Sequence, residues 1–247
     1  MIDEKKNTVR AAERALDILL CFTNQNELGL MQISKETGLN KSTVFRLLAT
    51  LEGKGFVKRD IRSDKYQLGI RIWELAGQIY QSSDPAMLFL PEMEQLRDTL
   101  DETVSLYIQD KSERIRVQAV ESTQAIRRVA PIGVRMPVLV GASGKVFLAF
   151  MQASERKRLF ADSEMTVAEQ QEYENQLQEI RQNGFALSVE ERETGTAAIS
   201  VPVFHRDGHL LAALAVSGPV SRMSTDQMYT FIPTLKDAAE HCKQIAR

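Results

Sequence analysis

Ser42, Thr43 and Arg46 put two hydroxyls and a guanidinium within little more than one turn of a predicted helix. Side chains of these types at this spacing suit one task well, hydrogen bonding to base edges and phosphates of a duplex, with Arg matched to guanine. On a helical wheel Ser42, Arg46 and Ala49 lie opposite an apolar stripe of Val44, Leu47, Leu48 and Leu51, and Thr43 and Phe45 flank that stripe. Asn40 is a favoured N-cap, and Gly38 supplies the turn before it. Lys41 opens the helix. Lys58, Arg59 and Arg62 follow it closely and add charge suited to phosphates, with Arg62 placed to reach a minor groove.

The neighbouring elements must hold that helix by its apolar side. Upstream, Ala11, Ala15, Ile18, Leu19 and Phe22 recur at helical spacing, and the segment from Asn24 to Gly29 ends that helix. Leu30 to Thr37 reads as a second helix stopping on Gly38. Gly53 and Gly55 end the third. Phe56 to Arg59 and Lys65 to Leu68 read as two short strands joined by a turn from Asp60 to Asp64. The order is helix, helix, recognition helix, two-stranded wing.

Charge is divided unevenly. Residues 1–72 hold 13 Lys and Arg against 9 Asp and Glu, whereas the remainder holds 18 against 24, so a basic head precedes an acidic body. A basic head suits a polyanion. With 43% hydrophobic and 26% charged residues the chain has the composition of a soluble globular protein, long enough for two modest domains. No apolar run is long enough to span a bilayer, and Met1 to Lys6 lacks the apolar core of a signal peptide and reads as a short arm. Cys21 and Cys242, both on or beside apolar helix faces, read as reduced core thiols, consistent with the cytoplasm.

Beyond the wing, Leu68 to Gln81 reads as a linker helix carrying Ile72, Leu75, Ala76 and Ile79, and Ser82-Ser83-Asp84-Pro85 as the cap and start of another helix. Strand alternation follows at Val104 to Ile108 and Ile115 to Val120, and again at Ala198 to Phe204 and Leu210 to Val216, the latter pair joined by an Asp207-Gly208 turn. Helices over about 166–183 and 225–246, the last containing Pro233, complete an α+β body.

Catalytic readings fail on particular residues. Around Gly141-Ala142-Ser143-Gly144-Lys145, a P-loop needs a glycine at 139 and a hydroxyl at 146, where Leu139 and Val146 stand. A nucleophile elbow needs a glycine where Lys145 stands. What remains is a Gly-rich loop opening a short helix, a place where backbone amides attract anions. His205 and His209 flank the hairpin turn and are too few for a closed zinc site, so neither metal nor cofactor is expected. Glu190 to Glu193 reads as a solvated charge run with the option of lining a pocket mouth.

These residues resemble the IclR family of bacterial transcription regulators. In the head the resemblance rests on Leu39 to Leu48, Gly55-Phe56-Val57 and Lys65 to Gly69. In the body it rests on Gly133 to Pro137, Gly144-Lys145, Gly184-Phe185-Ala186, Glu190-Glu191, Pro202-Val203 and Ser217-Gly218-Pro219. The resemblance implies a multi-domain chain. A winged helix-turn-helix head would cover 1–69, a linker helix 70–84, and a GAF-like effector-binding and oligomerisation domain 85–247. It implies a ligand-responsive, non-enzymatic regulator or repressor acting on nearby catabolic or transport genes. The partners would be a palindromic duplex operator, a small-molecule effector, and further copies of the chain in a dimer or tetramer. It also places an effector pocket at Leu139, Ala142, Ser143 and Gly144 of the loop and at Ser188, Ala198, Ala215 and Ser217. In members that bind small oxoacids the last four positions are Asp, Cys, Ser and Ser, so three of four polar groups are changed here, two of them to alanine. A small polar acid would then lack partners worth about 1–3 kcal/mol each. The expected pocket is roomier and less polar, holding a larger or more apolar metabolite whose anionic group meets the loop amides. Two alternatives stay open: a sensing module whose head binds protein, and a DNA-binding repressor that has lost its ligand.

Overall fold

The computed structural model describes residues 8–23, 25–79, 84–129 and 131–246. The expected arm at Met1 to Lys6, Asn24 and the Ser82-Ser83 part of the linker lie outside these. The chain divides into two compact units, 1–81 and 82–247, with the cut inside the segment expected to be the linker.

In the first unit, α1 (Arg10–Leu20), β1 (Leu28–Gly29), α2 (Leu30–Thr37), α3 (Lys41–Gly53), β2 (Val57–Arg59), β3 (Lys65–Leu68) and α4 (Ile70–Ile79) follow in order. Apolar residues spaced by three and four bring Ile18, Phe22, Ile33, Val44 and Leu48 into one core, which Leu28, Val57 and Tyr66 close from the strands. Burying each such side chain contributes roughly 1.5–3 kcal/mol. The Gln32 side chain accepts the Gly29 N–H at 2.9 Å and so starts α2, which ends where Gly38 turns left-handed at φ +68°. The wing is a three-stranded antiparallel sheet in the order β1-β3-β2, one strand more than the sequence suggests. The apolar face of α4 is not buried within this unit: Trp73 is 75% exposed and Ile70 66%.

The second unit runs α5 (Pro85–Leu88), α6 (Leu90–Leu100), β4 (Thr103–Asp110), β5 (Glu113–Val120), β6 (Arg135–Pro137), α7 (Ala142–Phe150), α8 (Ala153–Ala161), α9 (Val167–Asn183), β7 (Ala186–Val189), β8 (Thr196–Phe204), β9 (Leu210–Pro219) and α10 (Thr225–Ile245). Its six strands form one antiparallel sheet, β6-β5-β4-β9-β8-β7. Both faces are covered, so the period-two alternation separates two cores and not a core from solvent. Ile199, Val201, Leu214 and Val216 join Met93, Phe231 and Leu235 of α6 and α10 on one side. Ala213 and Ala215 face Val146, Phe147, Leu177 and Ile180 of α7 and α9 on the other. Helix α8 was absent from the sequence reading because its inward positions are Arg156 and Phe160 rather than two apolar residues. Arg156, 4% exposed, donates from Nε and Nη2 to the Glu174 carboxylate on α9 at 2.7 and 2.9 Å and from Nη1 to the Met151 carbonyl at 2.9 Å. A bidentate pair with its remaining donor satisfied is the form in which a buried charge is tolerated.

Cys242 is buried as expected, whereas Cys21 is only half-buried at the edge of the head core. Burial pushes Cys242 up to about 12, and burial with Glu36 nearby pushes Cys21 up to about 11. A raised thiol pKa favours the fold while the group is protonated. That contribution is whole below pH 9 and is lost as the pH climbs towards these values. At pH 8 iodoacetamide should therefore leave Cys242 unlabelled in native protein and label it after denaturation, as read by intact mass. Equal labelling in both states would refute this packing.

Candidate functional site

The recognition surface is built from its cap outward. Asn40, in extended conformation, accepts the Thr43 N–H and the Ser42 hydroxyl on its Oδ1, each at 2.9 Å. The cap fixes the first turn of α3 and orients Ser42. Val44 and Leu48 are buried, which leaves Lys41, Ser42, Phe45 and Arg46 exposed on the opposite face and Thr43 half-buried between them. Phe45, at 51% exposure, is an aromatic that this unit does not use in its core.

The wing turn is held by Asp60, whose carboxylate accepts the Arg62 N–H at 2.8 Å and the Ser63 hydroxyl at 3.1 Å. These bonds hold its pKa below the ordinary carboxylate value. Ile61 at the tip is 95% exposed, and Arg62 beside it is exposed as well. Lys58 is exposed, but Arg59 is committed within the wing: its Nε donates to Asp64 at 2.6 Å and its guanidinium lies 5.7 Å from the Tyr66 ring centroid. Of the four basic side chains expected to meet phosphates or grooves beyond the first turn, Arg59 thus brings a carboxylate with it.

In the second unit a cavity of about 50 Å³ opens between the sheet and the start of α7. Six of the eight expected effector residues line it: Ala142, Ser143, Ser188, Ala198, Ala215 and Ser217. Register explains their meeting, since Ser188 pairs with Ala198 and Ala198 with Ser217 across β7, β8 and β9, making a row of small residues as the floor. Leu139 and Gly144 are not in the lining. The Leu139 carbonyl accepts the Tyr173 hydroxyl at 2.9 Å. Gly144 serves close approach, because a Cβ there would stand 2.2 Å from the Val138 carbonyl oxygen and 2.7 Å from Arg114 Nη1. Ala142 and Ser143 sit in the first turn of α7, where amides have no intrahelical acceptor. Glu191 occupies part of that amide-rich end: it accepts the Gly141 N–H at 3.2 Å and an N–H of the buried Lys145 ammonium, which also donates to the Leu187 carbonyl at 3.0 Å.

Tyr107, Arg114, Arg116, Arg128 and Thr196 also line the cavity and were not singled out in the sequence, while Arg192 lines it from the charge run expected at a pocket mouth. Arg114 and Arg116 are 3% and 1% exposed. They project from one face of β5, and their guanidinium carbons lie 5.8 and 5.3 Å from the Tyr107 ring centroid. Arg116 donates to the Tyr107 hydroxyl at 2.6 Å. Arg114 donates to the Pro137 carbonyl, its Nε has no partner among the described residues, and burial lowers its pKa to about 10. Arg128 pairs with Glu193. Arg192 reaches in from the solvent side, its Nη1 2.8 Å from the Met136 sulfur, and burial with Arg128 beside it lowers its pKa. The Ser217 hydroxyl is likewise buried without a partner.

At the β8–β9 turn, Asp207 joins the two histidines expected there. Its Oδ1 lies 2.5 Å from His209 Nδ1 and 3.1 Å from His205 Nδ1, and the three donor atoms lie within 4.8 Å of one another. The imidazoles stack at 4.7 Å between centroids. Three donors are still one fewer than a closed tetrahedral zinc site needs. Here they are engaged with one another.

Residues 78–244 match the family described as bacterial transcriptional regulator IclR C-terminal, and residues 11–60 match the IclR helix-turn-helix domain. The chain belongs to the IclR family of bacterial transcriptional regulators. It is 30% identical to the HTH-type transcriptional regulator KdgR of Dickeya chrysanthemi over 97% of this chain and 81% of that protein. An IclR regulator from Alicyclobacillus acidocaldarius superposes with a TM-score of 0.83 at 24% identity, covering 97% of this chain and 100% of that one. An IclR homolog from Microbacterium hydrocarbonoxydans, crystallised with 4-hydroxybenzoate, superposes with a TM-score of 0.84 at 21% identity, covering 96% and 99%. At such identities these two likenesses show the fold alone.

The IclR head and body are therefore the winged helix-turn-helix and helix-plus-sheet units described above. The alanine floor is present in the IclR body, and four guanidiniums stand in the walls of the cavity above it. Among the described residues no helix is long and apolar enough to cross a membrane.

Proposed function

We propose that this IclR-family chain is a ligand-responsive DNA-binding regulator, not an enzyme, acting in the cytoplasm as a homodimer or homotetramer on a palindromic operator beside catabolic or transport genes. The observation that carries this reading is the capped first turn of α3, which turns Lys41, Ser42, Phe45 and Arg46 outward while Val44 and Leu48 anchor the helix. Ser42, Thr43 and Arg46 read bases, Lys41 and Lys58 meet phosphates, and Arg62 reaches from the wing. Arg59 orders the wing through Asp64. A two-fold dimer presents two such helices to half-sites about one helical turn apart. The division of labour follows 1–69 for DNA, 70–84 for the linker and 85–247 for effector and assembly.

The effector enters the cavity over the Ser188–Ala198–Ser217 row, with the amides of Ala142 and Ser143 at one end. A ligand-blind repressor is disfavoured by the same cavity, since a chain that had lost its ligand has no reason to keep the buried Arg114 Nε and Ser217 hydroxyl unpartnered. Enrichment sequencing of source-genome fragments on purified protein tests the reading. A sharp palindromic site whose occupancy falls with salt supports it. Absence of enrichment from folded protein, with and without anions, would favour a head that binds protein.

A further inference from the structure

We propose that the β8–β9 turn is a site for one borderline first-row divalent cation, with Zn²⁺ as the type case, held by Nδ1 of His205, Oδ1 of Asp207 and Nδ1 of His209 and completed by water. The inference goes beyond the DNA and effector reading and does not rest on it. Three residues of the types that ligate such ions come from one five-residue stretch, and their donor atoms lie within 4.8 Å of one another. Two of the three separations are 2.5 and 3.1 Å. Donors bonded at about 2.0–2.2 Å in a tetrahedral shell stand about 3.3 Å apart, so an ion needs only a modest opening of the group. The loop that carries them is pinned by its backbone. The His205 N–H donates to the His209 carbonyl at 2.9 Å and the Gly208 N–H to the His205 carbonyl at 3.0 Å, with Gly208 at φ +91° making the reversal. On either side of His205, Phe204 packs edge-on against Phe150 of α7 at 5.1 Å, and Arg206 donates to the Gln244 carbonyl of α10.

Hydrogen bonding alone answers these atoms poorly. Asp207 Oδ1 is met by both imidazoles and also accepts the His209 backbone N–H at 3.1 Å. His205 Nδ1 lies 3.4 Å from the Asp207 N–H as well. A neutral imidazole that accepts that N–H turns a lone pair, and not a proton, towards the carboxylate. One cation among the three atoms replaces this repulsion with three bonds. To reach it the stacked rings, 19° from parallel, splay apart, and a turn whose His209 and Asp207 side chains are 58% and 61% exposed leaves them room to do so. The same exposure gives water the fourth position, as in an open three-ligand site. The donor set chooses the ion. Imidazole suits zinc, copper and nickel, whereas Mg²⁺ and Ca²⁺ take oxygen shells of about six or more, and this turn offers a single carboxylate. An ion bound here braces the turn whose Arg206 reaches the end of α10, so its binding adds to the stability of the folded chain.

The test uses the full-length chain without a histidine tag, stripped with EDTA and dialysed. Zn²⁺ is titrated by calorimetry, with Mg²⁺ as the control, and the melting temperature is followed in parallel. One Zn²⁺ per chain is expected to bind saturably, at least tenfold more tightly than Mg²⁺, and to raise the melting temperature. His209→Gln, at an exposed turn position, is expected to weaken Zn²⁺ at least tenfold and to leave the melting temperature in EDTA unchanged. His241→Gln is expected to leave Zn²⁺ binding as it is. The chain has only three histidines, so NMR of the unaltered protein gives an independent reading. Substoichiometric Cu²⁺ is expected to broaden the imidazole signals of His205 and His209 before that of His241. No saturable Zn²⁺ binding would overturn the proposal, as would broadening of His241 first. Tight binding that survives His209→Gln would place the ion on other groups. Mg²⁺ binding as tightly as Zn²⁺ would remove the imidazoles from the site. One ion for every two chains would overturn the water-completed shell in favour of a bridge between copies.

Discussion

Arg46→Ala is expected to weaken binding to the operator about 5- to 150-fold, or roughly 1–3 kcal/mol, and to leave binding to random duplex nearly unchanged. Arg46 stands on the exposed face of α3, in its second turn after the Asn40 cap, and no ion pair is formed by it among the described residues. Among the described residues no side chain competes for its guanidinium, so its loss should be felt by the partner and not by the core. A bidentate bond to a guanine makes the loss specific to sequence. Lys58→Ala provides the contrast, because a phosphate contact weakens both duplexes alike and reduces the salt slope by about one. Fluorescence anisotropy titrations of the two duplexes across a salt series separate these outcomes. Equal losses on operator and random duplex for Arg46→Ala would make it another phosphate contact and move base reading to Ser42, Thr43 and Phe45.

The head was legible because each of its helices carries its own signals. Val44, Leu47, Leu48 and Leu51 define a face, Asn40 starts the helix on that face, and Gly38 ends the one before it. These are local effects, visible without knowing what packs against what. The body was legible where strands are long, as in β8 and β9, and obscure where an element owes its existence to a distant partner. Helix α8 depends on Glu174 accepting from Arg156 across to α9, and an arginine at an inward position reads as solvent-facing in any periodicity argument. The short strands β1, β6 and β7, of two to four residues, offer too few positions for alternation to show.

The cavity failed to show for the same reason on a larger scale. Arg114 and Arg116 alternate with Ile115 and Val117, a pattern that ordinarily means polar side chains in water. That inference needs one face of the sheet to be open. The run Leu210 to Val216 is apolar on both faces, which implies a sheet covered twice, and the arginines of β5 then point into protein. The family pattern found the floor residues but described them as losses of polarity. Charge stands in the walls as well, on arginines that the resemblance did not single out. Glu190 to Glu193 was half legible. The suspicion of a pocket mouth fits, with Arg192 in the lining, while Glu191 ties down Gly141 and Lys145, and Glu193 ties down Arg128.

Gly144→Ala is expected to destabilise the second unit by about 3 kcal/mol, near the upper end for an overpacked core, and to abolish ligand-induced stabilisation. The new methyl would stand 2.2 Å from the Val138 carbonyl oxygen and 2.7 Å from Arg114 Nη1. Val138 cannot easily yield, since it is fully buried and its N–H donates to the Ser112 carbonyl at 3.1 Å. The other way out is to lift the first turn of α7 away from the sheet. That movement pulls Ala142 and Ser143 from the cavity and strips Lys145 from Glu191 and the Leu187 carbonyl. For a unit of this size each kcal/mol lowers the melting temperature by about 2–4 °C, so a fall of roughly 6–12 °C is anticipated in calorimetry. The transition followed is that of the full chain, with and without an anion that binds the cavity. An unchanged melting temperature would mean that α7 stands farther from Val138 in solution than the geometry described here, and the amide end of the cavity would then need to be placed anew. A lowered melting temperature with anion-induced stabilisation intact would show that the arginine walls bind the ligand without the first turn of α7.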